Sequence, residues 1–221
     1  MPKPSTNFPI MMKVNPHSPI SEAYRSLRFN IECSALGQEA KIITVTSSGR
    51  GEGKTTTAIN LAVAYAQIGK KVILLDADLR NPSIHVAFSQ ENERGLTNYL
   101  GNQLALNETI RESYIENLSI LTSGTLRQNP SELLASPKMD VLLAELRANY
   151  DMVIVDTPSV LTLTDAKVLA AKCDGVLLVV EYGKVKRQMA KKVKEELMLA
   201  KAKLIGIVLN EIKNYHVDAY L

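Results

Sequence analysis

Residues 45–67, VTSSGRGEGKTTTAINLAVAYAQ, join an apolar stretch to a helical pattern through small residues, one lysine and three threonines. A flexible turn that leads into a helix can wrap a polyphosphate with unpaired main-chain N–H groups at the positive end of the helix. Lys54 would reach the β- and γ-groups of the polyphosphate, and the Thr55 hydroxyl would bind Mg²⁺. The loop therefore predicts a P-loop. Its predicted nucleotide-binding residues are Gly51, Glu52, Gly53, Lys54, Thr55 and Thr56.

One position of this loop departs from the strict P-loop pattern. The pattern G-x-x-x-x-G-K-[ST] requires glycine at position 48, where this chain has Ser48 followed by Gly49. An ordinary glycine-rich turn is the alternative explanation. The order of predicted strand, turn and helix favours the P-loop.

Three acidic residues end apolar runs of the sequence. Asp76 and Asp78 close the run VILLDAD, and Asp156 closes VIVD. Ligands of open α/β sheets bind at the carboxyl ends of parallel strands, and Asp156 suits a direct or water-mediated ligand of Mg²⁺. In a purely structural alternative, the first two acids cap loops and Asp78 pairs with Arg80. Together with the lysine and threonine of the loop, the three acids predict a metal–nucleotide site.

The elements that must position these residues alternate along the chain. Short apolar runs, typical of strands in a parallel sheet covered on both faces, occupy 41–47, 71–78, 118–124, 151–158, 175–181 and 204–210. Helical patterns occupy 21–33, 54–68, 137–149, 164–172 and 185–201. The fold class predicted is α/β and P-loop NTPase-like, with a mainly parallel twisted sheet and helices on both faces. Region 81–117 is expected to supply loops and short helices near the site.

The helix predicted at 185–201 is rich in lysine. Its apolar positions Val185, Met189, Val193 and Leu197 recur every four residues, which predicts a core-packing face opposite a solvated basic face. A weak role of the lysines at a membrane surface is the alternative.

Length and charge restrict the remaining choices. A chain of 221 residues with 46% hydrophobic content can bury one sizeable core, and 26 basic against 23 acidic residues argue against extensive nucleic-acid binding. We divide it into an extended N-terminal arm (1–19), a P-loop domain (20–213) and a flexible tail with tyrosines (214–221).

Cys33 and Cys173 lack metal-ligand spacing and are expected to be small, buried or half-buried hydrophobes of a reducing compartment. No run approaches the roughly 20 apolar residues of a membrane span, so a cytoplasmic location is expected.

Five stretches together resemble one family. SSGRGEGKT, ILLDADLR and VIVDTP resemble the Walker A, Walker A′ and Walker B motifs of the bacterial tyrosine kinases. EAYRSLR resembles the E-x-x-R-x-x-R helix of that family, and NPSELLAS resembles a further segment of it. The resemblance extends from about residue 20 to 213.

The resemblance implies roles for the site residues. Lys54 would stabilise the γ-phosphate of ATP, and Thr55 would hold Mg²⁺ with the support of Asp78 and Asp156. Asp76 would be the base that accepts the proton of an incoming tyrosine hydroxyl, which suits a reaction that depends on positioning and charge neutralisation. Asn210 resembles an adenine-reading asparagine; a turn residue that ends a strand is the alternative.

The resemblance also implies self-association. Glu22, Arg25 and Arg28 recur every three residues and share a helix face, which composition alone would assign to a solvated stripe. In the family this face is a subunit contact that closes a ring-like homo-oligomer. Tyr215 and Tyr220 in the tail would then be autophosphorylated in trans; loosely packed terminal tyrosines are the alternative.

The family implies partners as well. Its short members are activated by the cytoplasmic tail of a separate transmembrane protein, phosphorylate protein tyrosines, and serve capsular or extracellular polysaccharide synthesis or export. The protein would then associate peripherally with the membrane through that partner.

Two other functions stay open: an ATPase switch of the division-site or partitioning type, and an ATP-binding scaffold with little transfer activity. Such switches have a lysine where this chain has Gly49, and Arg50 beside it is an imperfect substitute.

Overall fold

A computed structural model describes residues 8–34, 40–125, 129–185 and 187–212. Within these residues the chain forms a seven-stranded sheet in the order β3-β4-β2-β5-β1-β6-β7. All neighbouring strands are parallel except the pair β3–β4. The strands are β1 (Ile42–Ser47), β2 (Val72–Asp76), β3 (Ile110–Glu112), β4 (Leu118–Leu121), β5 (Met152–Asp156), β6 (Gly175–Glu181) and β7 (Leu204–Asn210).

Helices cover both faces of this sheet. They are α1 (Met11–Val14), α2 (Pro19–Ser34), α3 (Lys54–Ala66), α4 (Ile84–Ala87), α5 (Leu96–Leu100), α6 (Leu106–Thr109), α7 (Pro130–Ala135), α8 (Pro137–Asn149), α9 (Thr164–Lys172) and α10 (Arg187–Leu199). The predicted fold class, a mainly parallel sheet between helices, is confirmed.

Alternate residues of the central strands enter different cores. Ile43 and Val45 of β1 pack in the cluster that contains α2 and α3, whereas Ile42 packs with α8 on the opposite face. Because successive side chains of a strand point to opposite faces, a strand buried on both faces must be apolar throughout. This explains why the strands appear in the sequence as unbroken apolar runs.

Helix α3 lies deepest in the fold. Every residue from Thr57 to Ala66 is buried, including Asn60. A helix that is apolar around most of its circumference must be covered on all sides, here by the sheet and by α1 and α2. The first turn of α3 is thereby fixed relative to the strand ends.

The described part of the N-terminal arm differs from our expectation of an extended segment. Met11–Val14 form one helical turn, and Ile10 and Met12 are buried in the core beside α3. The Met12 N–H donates to Asn60 Oδ1 at 3.1 Å, so the buried amide of α3 has a backbone partner. Two apolar side chains and one buried asparagine thus hold the segment against the domain.

Smaller differences concern short elements and exposure. β3 was not predicted, because three residues are too few to establish a periodicity. Short helices were expected within 81–117, and α4, α5 and α6 lie there.

Cys33 is exposed, contrary to expectation, whereas Cys173 is half-buried. Met189 of α10 is 41% exposed, although Val193 and Leu197 are buried as predicted. None of the described helices is both long and apolar enough to span a membrane.

Candidate active site

The sheet order brings two of the predicted acids together. β5 lies between β2 and β1, and the parallel register places Asp76 directly beside Asp156. Both carboxylates are fully buried. Strand β1 ends on the other side of β5 and continues into the P-loop, so the loop and both acids share the carboxyl edge of the sheet. This is where ligands of open α/β sheets bind.

The P-loop begins α3 with a glycine in a left-handed conformation. Gly53 has φ +88° and immediately precedes the first helical residue, Lys54, while Gly51 has φ +77°. Residues with a Cβ rarely adopt these angles, which explains the two glycines. The free N–H groups of the first turn of α3 consequently lie beside the acids.

Three short contacts connect the lysine, the threonine and the acids. Lys54 Nζ lies 3.1 Å from Asp78 Oδ2 and donates to Thr55 Oγ1 at 3.3 Å. The Thr55 hydroxyl in turn donates to Asp156 Oδ2 at 2.7 Å. The structure therefore brings Lys54, Thr55, Asp76, Asp78 and Asp156 into one cluster.

Burial changes the protonation of this cluster. Burial, with the like charge of Asp156, raises the pKa of Asp76, and backbone N–H bonds from Ile84 and Ser83 only partly oppose the shift. Burial also raises the pKa of Asp156, against the lowering effect of Lys54 and Thr55. Burial alone would lower the pKa of Lys54, but Asp156, Asp78 and Asp76 outweigh it, and the pKa is raised. Perturbed values of this kind concentrate at functional sites.

Asp76 is also held by the backbone that follows it. Its Oδ2 accepts the N–H groups of Ser83 and Ile84, each at 3.0 Å, and its Oδ1 accepts the Asp78 N–H at 3.2 Å. The alternative in which Asp78 pairs with Arg80 is wrong. Arg80 Nε donates instead to the buried Asp165 at 2.9 Å, which leaves Asp78 for Lys54.

The donor set suits a magnesium ion that the nucleotide completes. Asp156 Oδ1 is buried and has no hydrogen-bond partner within the described residues. A buried carboxylate oxygen without a partner is unfavourable unless a cation or water satisfies it. In the described parts of the chain, no group of three or more His, Cys, Asp and Glu could hold a metal ion. The protein would thus supply only part of the coordination, as is usual for Mg²⁺ bound with phosphates and waters.

One cavity opens at this cluster, and a second lies at the end of β7, whose last residue contacts the P-loop. One, of about 190 Å³, is lined by Arg50, Gly51, Lys54, Asp78, Asn81, Pro158, Ser159, Thr162 and Leu163. A larger, mainly apolar cavity of about 490 Å³ lies between α2 and the end of β7, and Asn210 is part of its wall. An apolar cleft with one polar amide is typical of a site for a flat organic group. Asp76 lines neither cavity, so Asp78 and Lys54 are the charged groups of the cluster that face the smaller one.

Asn210 contacts the P-loop directly. Its Nδ2 donates to the Glu52 carbonyl oxygen at 3.0 Å, and a Cβ on Gly53 would lie only 2.0 Å from Nδ2. Gly53 is therefore required for close approach as well as for its φ angle.

Thr56 is half-buried in the first turn of α3, and its carbonyl oxygen accepts a bond from Asn60.

Sequence reasoning missed several residues near the loop. Ser48 bonds to Glu52, and Lys184 Nζ lies 4.0 Å from the position of a Cβ on Gly51. Ser159 and Thr162, which follow β5, bond to each other and line the smaller cavity. The position of Ser48 in place of the pattern glycine was a usable signal. The other three are distant in sequence and carry none.

The three residues of the charged α2 stripe make contacts within the chain. Arg25 pairs with Glu22 at 3.0 Å and donates to the Pro16 carbonyl oxygen at 2.7 Å. Arg28 donates to the Ala64 carbonyl oxygen of α3 at 2.9 Å. The stripe thus holds α2 against the preceding turn and against α3. Tyr215 and Tyr220 lie outside the described residues.

Fold and site together define a P-loop nucleotide-binding protein of the α/β class. A family model described as AAA domain matches residues 40–207. The chain is 45% identical over 201 residues to the tyrosine-protein kinase YwqD of Bacillus subtilis (strain 168), which covers 91% of this chain and 85% of that protein.

Two solved structures agree with this relative. The kinase domain of the Escherichia coli tyrosine kinase ETK matches with a TM-score of 0.91 and 32% identity, over 100% of this chain and 86% of that one. The chimerical protein CapA2B2 matches with a TM-score of 0.89 and 40% identity, over 93% and 90%. The chain belongs to the bacterial tyrosine-protein kinases, which confirms the resemblance.

The division-site ATPases are less similar. The cell division ATPase MinD of Pyrococcus furiosus matches with a TM-score of 0.65 and 25% identity, over 77% of this chain and 71% of that one. The shared P-loop fold accounts for this likeness. The interpretation as an ATPase switch or a scaffold is not favoured, because the relatives that cover most of the chain are named as tyrosine kinases.

Proposed function

We propose that this protein transfers the γ-phosphoryl group of ATP to protein tyrosines with Mg²⁺ as cofactor. The observation that carries the proposal is the buried cluster in which Lys54 contacts Asp78 and Thr55 contacts Asp156. Phosphoryl transfer requires mainly positioning and charge neutralisation, and the P-loop N–H groups, the lysine and the acids supply both.

Each residue has a separate task in this proposal. Lys54 neutralises the γ-phosphate, and its contact with Asp78 holds the ammonium at the smaller cavity. Thr55, Asp78 and Asp156 would hold Mg²⁺, which supplies charge neutralisation of the phosphates when bound. The raised pKa of Asp76 makes its carboxylate a better proton acceptor than an ordinary aspartate. Its Oδ1 accepts the Asp78 N–H at 3.2 Å and keeps a second lone pair. Because Asp76 is fully buried and lines neither cavity, the tyrosine hydroxyl would reach that lone pair only after the residues that cover it move.

The larger cavity supports a site for the adenine ring. It is mainly apolar, and Asn210 of its wall donates to the Glu52 carbonyl oxygen of the P-loop. An apolar slot with one hydrogen-bonding group suits a purine base. Asn210 would read adenine while it keeps or exchanges its bond to Glu52.

Self-association and partners complete the proposal. Family resemblance supports a ring-like oligomer formed through Glu22, Arg25 and Arg28, phosphorylation of Tyr215 and Tyr220 in trans, and activation by the cytoplasmic tail of a transmembrane protein. The role would be in capsular or extracellular polysaccharide synthesis or export. The protein would associate with the membrane through that activator.

Incubation with γ-labelled ATP and Mg²⁺, followed by phosphoamino-acid determination, tests the proposal. We expect label on tyrosine, and its loss when Tyr215 and Tyr220 are both changed to Phe. The matched control is Tyr182→Phe, because Tyr182 is an exposed tyrosine outside the tail. Release of free phosphate without labelled protein would instead identify an ATPase switch. Undiminished label in the double variant would refute the two tail tyrosines as acceptors.

A further inference from the structure

The Glu52 side chain turns back into its own loop. It is almost fully buried, and it is not among the residues that line the cavity at Lys54. The Ser48 hydroxyl donates to Glu52 Oε1 at 2.6 Å, and the Ser48 N–H donates to Oε2 at 3.2 Å. Both carboxylate oxygens therefore bond to the residue that begins the loop.

The backbone of Glu52 is held from the other side. Its carbonyl oxygen accepts the bond from Asn210, which comes from the end of β7. The loop is thereby closed across residues 48–52 and anchored to the sheet at one residue. A Cβ on Gly49 would lie 3.2 Å from Glu52 Oε1, so the carboxylate also packs tightly against the loop backbone.

These contacts account for the departure from the strict P-loop pattern. Glycine at position 48 would have no hydroxyl to donate to Glu52. A buried carboxylate that loses a donor is costly, and a carboxylate that turned toward bound polyphosphate would repel it. Serine at 48 and glutamate at 52 are thus complementary.

We propose that Glu52 is a positioning residue that holds the P-loop in its nucleotide-binding shape through Ser48 and thereby sets the affinity for ATP. The inference rests on the proposed ATP-binding function and deepens it. A preformed loop binds more tightly because less ordering is left to binding itself. Once ATP is bound, its phosphates help to order the loop, so the chemical step depends less on Glu52.

Four variants test this pair: Ser48→Gly, Glu52→Ala, Glu52→Gln and the double variant Ser48→Gly/Glu52→Ala. Loss of a buried bond to a charged group is expected to weaken ATP binding by about tenfold in each of the first two. Ser48→Gly restores the strict pattern and is nevertheless expected to bind ATP less well. Glu52→Gln keeps one acceptor for the Ser48 hydroxyl, so its affinity for ATP should fall only about threefold.

The double variant gives the sharpest readout. If the two side chains act through each other, it should bind ATP about as weakly as either single variant, about tenfold below wild type, instead of about 100-fold. ATP affinity is measured by calorimetry, and KM and kcat are measured by tyrosine labelling. We expect the KM for ATP to rise with the Kd, while kcat at saturating ATP falls less than about twofold.

Ser34→Gly is the matched control. It removes an exposed serine hydroxyl bond at the end of α2, remote from the loop, and should leave ATP affinity unchanged. Thermal melting without ATP identifies variants that fail to fold, and Glu52→Gln then carries the test because it preserves shape and one bond.

The outcomes separate the two proposals. Variants that bind ATP as wild type does, or additive losses in the double variant, would overturn the Ser48–Glu52 pair alone. A fall in kcat with unchanged KM would also overturn it. Failure of the wild-type protein to bind ATP would overturn the proposed function and the positioning role with it.

Discussion

The centre and the edge of the sheet reverse the usual distribution of polar and apolar residues. At the carboxyl ends of β2 and β5, Asp76 and Asp156 are fully buried beside each other. On the edge strand β7, Ile207 and Leu209 are 58% and 55% exposed. The buried acids lower stability and are retained where they can act on phosphate. The exposed apolar side chains contribute little to stability, and they form an apolar surface whose hydration is unfavourable.

The topology explains the contrast. β5 has a strand on each side and helices above and below, so the side chain at its carboxyl end, Asp156, is removed from water. Among the described residues β7 has one neighbouring strand, β6, and α10 packs against β6 together with α9. The two regions meet at Asn210, which ends β7 and bonds to the P-loop. The site therefore combines a rigid, buried centre with a lightly packed border.

The largest expected effect is at the centre. Lys54→Met removes the ammonium that neutralises the γ-phosphate, and tyrosine labelling should fall by about 10³-fold. Labelling with γ-labelled ATP measures it, with the exposed Lys70→Met as control. Persistent labelling in the Lys54 variant would remove the cluster from the mechanism.

A pair of isoleucines tests the packing contrast directly. Ile154→Ala empties a fully buried position of β5 and should cost about 3 kcal/mol in free energy of unfolding. Ile207→Ala on β7 should cost less than about 0.5 kcal/mol, because this side chain is mostly exposed. Urea unfolding measures both. Equal costs would show that β7 is covered in solution.

The buried acids should destabilise the nucleotide-free protein in a pH-dependent way. The pKa of Asp156 is raised from 3.8 to about 6 in the folded state, so stability is lost as pH rises through that window. Asp156→Asn should therefore raise the free energy of unfolding by on the order of 2 kcal/mol at pH 8 and leave it nearly unchanged at pH 4. Thermal melting at the two pH values measures the difference. A variant less stable than wild type at pH 8 would contradict the assigned penalty, although labelling should be lost in either case.

The pH dependence of activity tests Asp76. Its pKa is raised to about 7, so a growing fraction of the carboxyl is protonated, and unable to accept a proton, as pH falls from 8 to 6. We expect kcat/KM to fall about tenfold over that range as the base is lost. Asp76→Asn should remove the slope together with most of the activity, whereas Arg111→Gln, remote on β3, should keep the wild-type profile. A flat wild-type profile would argue against Asp76 as base.

Much of the site could be predicted from its own stretches of sequence. The P-loop glycines, Lys54 and Thr55 follow from the chemistry of a polyphosphate at a helix start, and Asp76 and Asp156 follow from acids at the ends of apolar runs. Residues such as Lys184 and Ser159 could not be predicted, because an ordinary surface lysine and a loop serine have no periodicity or motif. Only the return of distant loops to the same sheet edge makes them neighbours of the P-loop.

The sequence by itself determined the class of fold and the type of chemistry, because apolar runs, glycine positions and acid placement are local properties of the chain. The tertiary structure decided which groups pair. It placed β5 between β2 and β1, so that Asp76 lies beside Asp156. It paired Asp78 with Lys54 and Arg80 with Asp165, and it brought Asn210 to the Glu52 carbonyl oxygen. The pairing depends on strand order and register, which link residues as far apart as 101 positions in the bond between Thr55 and Asp156 and 158 positions in the bond between Asn210 and Glu52. Contacts at that separation are set by the packing of the whole sheet, and no local pattern in the chain encodes them.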